Sequence, residues 1–62
     1  ISVEDFSRAI QLKPDYVSAY LNRADAYLKQ NHTVAGCRDA EKACGLGDCS
    51  LTQALKAQGT CR

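Results

Sequence analysis

Apolar residues recur every three or four positions in segment after segment, and this constrains the chain more than any other feature. In the first segment, Ile1 to Lys13, most of the residues Val3, Phe6, Ala9, Ile10 and Leu12 fall on one helical face. Glu4 and Arg8 stand on its wetter side as an acid-before-base i,i+4 pair, worth about 0.2–0.5 kcal/mol. Pro14 pushes Lys13 out of the right-handed helical region and opens a turn with Asp15. The second segment, from Asp15 to Gln30, carries the stripe Val17, Tyr20, Ala24, Tyr27 and Leu28, with Asp15 as its expected N-cap. Asn31-His32-Thr33 breaks the period, and Thr33 is the expected cap of the third segment. There Val34, Cys37, Ala40 or Glu41, and Cys44 fall at helical spacing, while Gly36, Ala40 and Ala43 let a neighbouring helix come close. Gly45-Leu46-Gly47 reads as a helix stop. A fourth helix, Leu51 to Gln58, is expected to turn Leu51, Ala54 and Leu55 inward, capped by Asp48 or Ser50 and stopped at Gly59. Nothing alternates with period two over a useful length. The fold class is therefore all-α, about four helices whose short links force antiparallel neighbours.

A chain of 62 residues makes one small domain, and at about 60 residues only about 60% of the unfolded surface is buried, so the core is thin. A net charge of +1 gives no field that would favour nucleic acid or an anionic membrane. No apolar run approaches the roughly 20 residues that span a bilayer. Ile1 opens directly into an amphipathic pattern without Met or a basic-then-apolar leader, and the expectation is a piece of a longer protein.

Phe6-Ser7-Arg8-Ala9-Ile10-Gln11-Leu12 and Ala40-Glu41-Lys42-Ala43-Cys44-Gly45-Leu46 agree in character at a shift of 34 residues. Helix–turn–helix units of that period are the signature of the tetratricopeptide repeat. The chain resembles that family from Ile1 to Asp48: "DFSRAIQLKPDY" is similar to the second helix of a repeat with its closing proline, and "VSAYLNRADAYLKQNHTVAGCRDAEKACGLGD" to a complete repeat. Tyr20 and Tyr27 match the family's aromatic positions, and Ala24, Gly36 and Ala43 its small ones. The resemblance implies a superhelical fragment with three parts. Residues 1–13 are the second helix of a truncated repeat, 14–47 one complete repeat, and 48–62 a capping helix with Lys56 and Gln58 outward. Three positions depart from the pattern: Arg23 where Leu is common, Ala40 in place of an aromatic, and Asp48 where the next closing proline would stand.

The resemblance further implies a protein-interaction scaffold whose first helices line a concave groove. Its peptide-binding residues here would be Ser18, Leu21, Asn22, Asp25 and Lys29, of which 18, 22, 25 and 29 share one helical face. Asn22 also matches one asparagine of the clamp by which some family members grip a C-terminal tail. Thr52 stands where a clamp lysine belongs and Lys56 supplies at best one cation, so the clamp is not complete here.

Cys37, Cys44, Cys49 and Cys61 follow C-x6-C-x4-C-x11-C. No C-x2-C pair exists and His32 lies far from three of the four, so no metal is expected. No base is spaced to activate a thiol, and no carboxylate pair, triad or phosphate loop is present; catalytic residues and cofactors are not expected. Two readings stay open. The cysteines are reduced packing residues, or they staple the terminal hairpin. Across an antiparallel hairpin, partners keep a nearly constant index sum: Cys44–Cys49 gives 93 and Cys37–Cys61 gives 98, a nested pair. Cys37 and Cys44 lie two helical turns apart, about 10 Å, beyond the roughly 7 Å Cα limit, and Cys49–Cys61 would span a whole helix. Oxidised cysteines favour a periplasmic or secreted compartment, reduced ones the cytoplasm.

The expected function is a non-enzymatic module that binds a protein or peptide, with neither nucleic acid nor membrane as partner. The alternative is a small disulfide-stapled helical-hairpin protein with a structural or redox-linked role. Self-association through Phe6 and Ile10 of the first helix is a further expectation.

Overall fold

The computed structural model describes residues 3–61; Ile1, Ser2 and Arg62 lie outside the described residues, and so do the outermost parts of the expected first and last segments. Four helices follow one another: α1 (Val3–Leu12), α2 (Val17–Lys29), α3 (Thr33–Gly45) and α4 (Ser50–Ala57). Each packs on the next, and links of three or four residues leave only antiparallel arrangements.

Helix stops are written into the sequence in two ways. Pro14 ends α1: the Lys13 N–H still reaches the Ala9 carbonyl at 2.9 Å, and the chain then turns so that the Tyr16 N–H bonds the Lys13 carbonyl at 3.0 Å. The other three helices close on a residue in the left-handed region, Asn31 (φ 63°), Gly47 (φ 121°) and Gly59 (φ 76°). After α2 the His32 N–H returns to the Tyr27 carbonyl at 2.8 Å, and after α3 the Asp48 N–H to Ala43 at 3.0 Å. After α4 the Thr60 N–H returns to Leu55 at 2.9 Å. These are Schellman closures, each satisfying carbonyls that a helix end leaves free.

The starts differ from expectation. Tyr16, not Asp15, is the N-cap of α2, and His32, not Thr33, that of α3, with Thr33 already helical; neither cap uses a side-chain hydrogen bond. Turn geometry set by Pro14 and by Asn31 fixes these ends, so no capping side chain is needed. At α4 the N-cap is Cys49, and Asp48 acts from one residue further out. Its Oδ1 accepts the Ser50 N–H at 3.1 Å and the Ser50 hydroxyl at 2.6 Å, which holds the carboxylate below its ordinary pKa. The Glu4–Arg8 pair does not close; the i,i+4 pair that does is Asp25–Lys29.

The buried interior consists of Ala19, Tyr20, Ala24, Ala40, Ala43, Leu55 and Cys61, and its three wholly inaccessible members are all alanines. Leu28, Cys37 and Leu51 pack against this cluster from the side. On α3 the small residues Gly36, Ala40 and Ala43 form the expected stripe toward α2, with Ala40 rather than Glu41 inward. Three expected contacts are not made. Leu12 is 83% exposed at the end of α1, Val34 is 68% exposed on the far side of α3, and Ala54 is exposed on α4. In place of Ala54, Thr52 turns inward, and its hydroxyl has no hydrogen-bond partner among the described residues. Phe6 and Ile10 are half-buried, and α1 buries no residue fully.

Gly36 marks the closest approach of α3 to α2: a Cβ there would stand 2.8 Å from Leu28 Cγ and 3.2 Å from the Ala24 carbonyl oxygen. Overpacking costs about 1–3 kcal/mol, against about 1 kcal/mol that alanine gains over glycine in a helix. Gly36→Ala is therefore expected to lower the thermal midpoint, read by circular dichroism at 222 nm. An unchanged or raised midpoint would show that α2 and α3 have room to separate.

Candidate functional site

The outward face of α2 is the surface that its buried stripe leaves over. Ser18, Asn22, Asp25 and Lys29 are exposed and Leu21 is half-buried, on the side turned away from Tyr20 and Ala24. Lys29 Nζ lies 3.1 Å from Asp25 Oδ2 with both side chains more than half exposed, a contact worth about 0.3–0.5 kcal/mol at most. The face thus offers an amide, a hydroxyl and a loosely held ion pair. Asn22 shares it, whereas Thr52 is buried in α4 and Lys56 is exposed there, so Thr52 offers no group to a ligand.

Behind that face lies an ion-pair network that the sequence reading did not find. Arg23 donates from Nε to Asp39 Oδ2 at 2.7 Å and from Nη2 to Asp39 Oδ1 at 2.7 Å, and from Nη1 to Ser7 Oγ at 3.1 Å. Its guanidinium carbon sits 5.7 Å from the Tyr20 ring centre and 5.8 Å from that of Tyr27, both within cation–π range. Hydrogen bonding to Asp39 raises the Arg23 pKa from its ordinary value, and burial opposes this. Helices α1, α2 and α3 therefore meet on one side chain. The sequence carried two signals, Arg23 at a position the family gives to Leu and Asp39 beside the inward Ala40. Neither signal alone specifies a pair 16 residues apart.

The four cysteines form the nested pair: Cys37–Cys61 with Cα atoms 5.8 Å apart, and Cys44–Cys49 at 3.9 Å. One joins α3 to the tail beyond α4, the other bridges the α3–α4 link, and no described cysteine is free. Among the described residues no group of three or more His, Cys, Asp or Glu is placed to hold a metal ion, and no helix is long and apolar enough to cross a membrane.

Two open clefts flank α3. The larger, about 530 Å³, lies beside the α2–α3 turn and is lined by Arg23, Tyr27, His32, Val34, Arg38 and Asp39 among others. The smaller, about 340 Å³, shares Val34 and Arg38 and reaches the Cys37–Cys61 disulfide.

Residues 2–31 match the family model described as TPR repeat, which spans α1, the Pro14 turn and α2. Over these residues the chain is similar to a TPR repeat. No curated protein and no solved structure matches the chain. TPR repeats are protein-interaction modules, typically without enzymatic activity. In this chain the matched helices α1 and α2 are joined through Arg23 to α3, which carries the Asp39 partner and two of the disulfide cysteines.

Two predictions follow from the network and the staples. Arg23→Leu strands the buried Asp39 carboxylate and should cost about 3 kcal/mol, and Asp39→Leu, which strands the part-buried Arg23, should cost less. The double variant should recover at least about 1 kcal/mol of the summed loss in urea unfolding; strict additivity would mean that the pair is not coupled. For the disulfides, the separations of 24 and 5 residues correspond to about 3.5 and about 2.2 kcal/mol of loop-closure entropy. Replacing Cys37 and Cys61 by Ser should therefore lower the urea midpoint more than replacing Cys44 and Cys49, and the reverse order would refute the entropic account.

Proposed function

We propose that this chain is a non-enzymatic binding module that takes an extended protein or peptide segment along the outward face of α2, through Ser18, Leu21, Asn22, Asp25 and Lys29. The observation that carries this is the division of α2. Tyr20, Ala24 and Arg23 spend one side on α1 and α3, and the opposite polar side has no structural task beyond the weak Asp25–Lys29 contact. Exposed amide and hydroxyl groups at Asn22 and Ser18 can pair with the backbone groups of an extended segment, and Leu21 adds an apolar contact at the edge. Residues 1–13, 14–47 and 48–62 act as a preceding second helix, a complete repeat and a cap. The cap reading rests on α4 and its C-cap, which leave Lys56 and Gln58 exposed, while Thr52 and Leu55 are buried and Leu51 packs from the side. Two disulfides in so small a chain fit an oxidising compartment, periplasmic or extracellular. The same disulfides are expected of a stapled hairpin protein and do not favour that alternative over the repeat reading.

The test is selection of peptides from a displayed random library on the oxidised chain, followed by affinity measurement on the triple variant Asn22→Ala, Asp25→Ala, Lys29→Ala. Selected peptides should bind the variant at least about tenfold more weakly, a loss of about 1.4 kcal/mol, with an unchanged helical circular-dichroism spectrum. Peptides that bind variant and parent equally would remove the α2 face from the function.

A further inference from the structure

We propose that the cleft beside the α2–α3 turn is a second recognition site, one that takes a carboxylate side chain of an acidic peptide segment with an apolar residue next to it. This surface is separate from the outward face of α2, so either site can fail without the other.

The charge count points first to the ligand. The cleft is lined by two guanidinium groups, Arg23 and Arg38, and by one carboxylate, Asp39. Asp39 is already held by Arg23 through two 2.7 Å bonds. Arg38 is exposed and forms no ion pair among the described residues, not even with Glu41 three positions on, which faces the neighbouring cleft. An arginine carries five N–H donors and no acceptor, and its planar fork matches a carboxylate better than any other side chain does. The excess of one positive charge is therefore concentrated at the rim of a concave surface.

The floor of the cleft is already ordered. Arg23 uses three of its donors on Asp39 and Ser7. One hydrogen on each terminal nitrogen is left without an acceptor among the described residues. Asp39 and the rings of Tyr20 and Tyr27 hold that guanidinium in place, so an incoming anion meets a group that loses little freedom on binding. The cleft volume of about 530 Å³ lies within the 300–1,000 Å³ typical of ligand sites. The apolar requirement comes from Val34. It stands 68% exposed where the two clefts meet, with the Cys37–Cys61 disulfide beyond it. A carboxylate on Arg38 brings the next side chain of an extended segment onto Val34. A single uncompensated charge is too little for nucleic acid, whose binding rests on several phosphate contacts.

The experiment uses the ¹⁵N-labelled oxidised chain and an acetylated, amidated hexapeptide Gly-Glu-Leu-Glu-Leu-Gly, with Gln in both Glu positions as comparator. The Glu peptide should shift the amides of Val34, Ala35 and Arg38 and leave those of Ser18, Asn22 and Asp25 in place. Its dissociation constant should rise about tenfold or more in Arg38→Gln, and less in Arg38→Lys, which keeps the charge but not the fork. Raising salt from 50 to 500 mM should weaken it as well. Equal binding of the Gln peptide, undiminished binding to Arg38→Gln, shifts confined to the α2 face, or no shift at millimolar peptide would each overturn the proposal. Arg38 is exposed, so its variants should keep the parent's helical spectrum, and that spectrum is recorded as the control.

Discussion

Arg23 and Asp39 hold the arrangement on which everything else in this molecule rests. Taking a guanidinium and a carboxylate out of water is costly, and the attraction repays it only when the remaining donors and lone pairs are matched. Here the match is bidentate, with a serine from α1 on the third nitrogen and two tyrosine rings around the cation. A leucine at position 23 would serve the same packing space without directional demands. The arginine instead requires α1, α2 and α3 to sit in one register, because a slip of a single turn in any of them would move Ser7 or Asp39 out of reach.

Such a device is needed because apolar burial here is small. The fully inaccessible residues are alanines, and no large side chain is completely enclosed. Alanine and Gly36 let α2 and α3 approach closely, which gains dispersion contacts per atom but little area removed from water. The chain makes up the difference at its ends. Schellman closures after α2, α3 and α4 satisfy carbonyls that would otherwise need water. The two disulfides restrict the unfolded chain where α4, eight residues long, buries only Thr52 and Leu55.

Much of this could be read before any coordinates. Periodicity places all four helices to within one or two residues, since Pro14, Asn31, Gly47 and Gly59 punctuate them by steric rules that no tertiary context overrides. The antiparallel link favours the nested pairing once the cysteines are oxidised, but the sequence leaves open whether they are. What could not be read depended on partners distant in the chain. Val34 keeps helical spacing with Cys37 yet faces solvent, because the apolar face of α3 is set by where α2 and α4 stand and not by its own pattern. The caps were misplaced by one residue because turn geometry fixed those ends without a side chain. The α2 face could be listed residue by residue, since it is the complement of a clear stripe. The larger cleft could not, because it exists only once the α2–α3 turn brings Arg23 and Arg38 to one concavity.

The division of labour on α3 decides which of its residues are free for recognition. Gly36, Asp39, Ala40 and Ala43 face α2, and Cys37 and Cys44, about a quarter-turn round, face the tail and the α4 link. Only the remaining arc, with Val34, Arg38 and Glu41, is free of structural duty. Helix α2 is divided in the same way, between the Tyr20–Arg23–Ala24 side and the Ser18–Asn22–Asp25–Lys29 side. Two helices, each with one committed and one uncommitted face, give a thin molecule two surfaces on which side chains can vary without touching what holds it together. The cleft is the exception: its wall includes Arg23 itself, so a ligand bound there would act on the same ion pair that fixes the register of the first three helices.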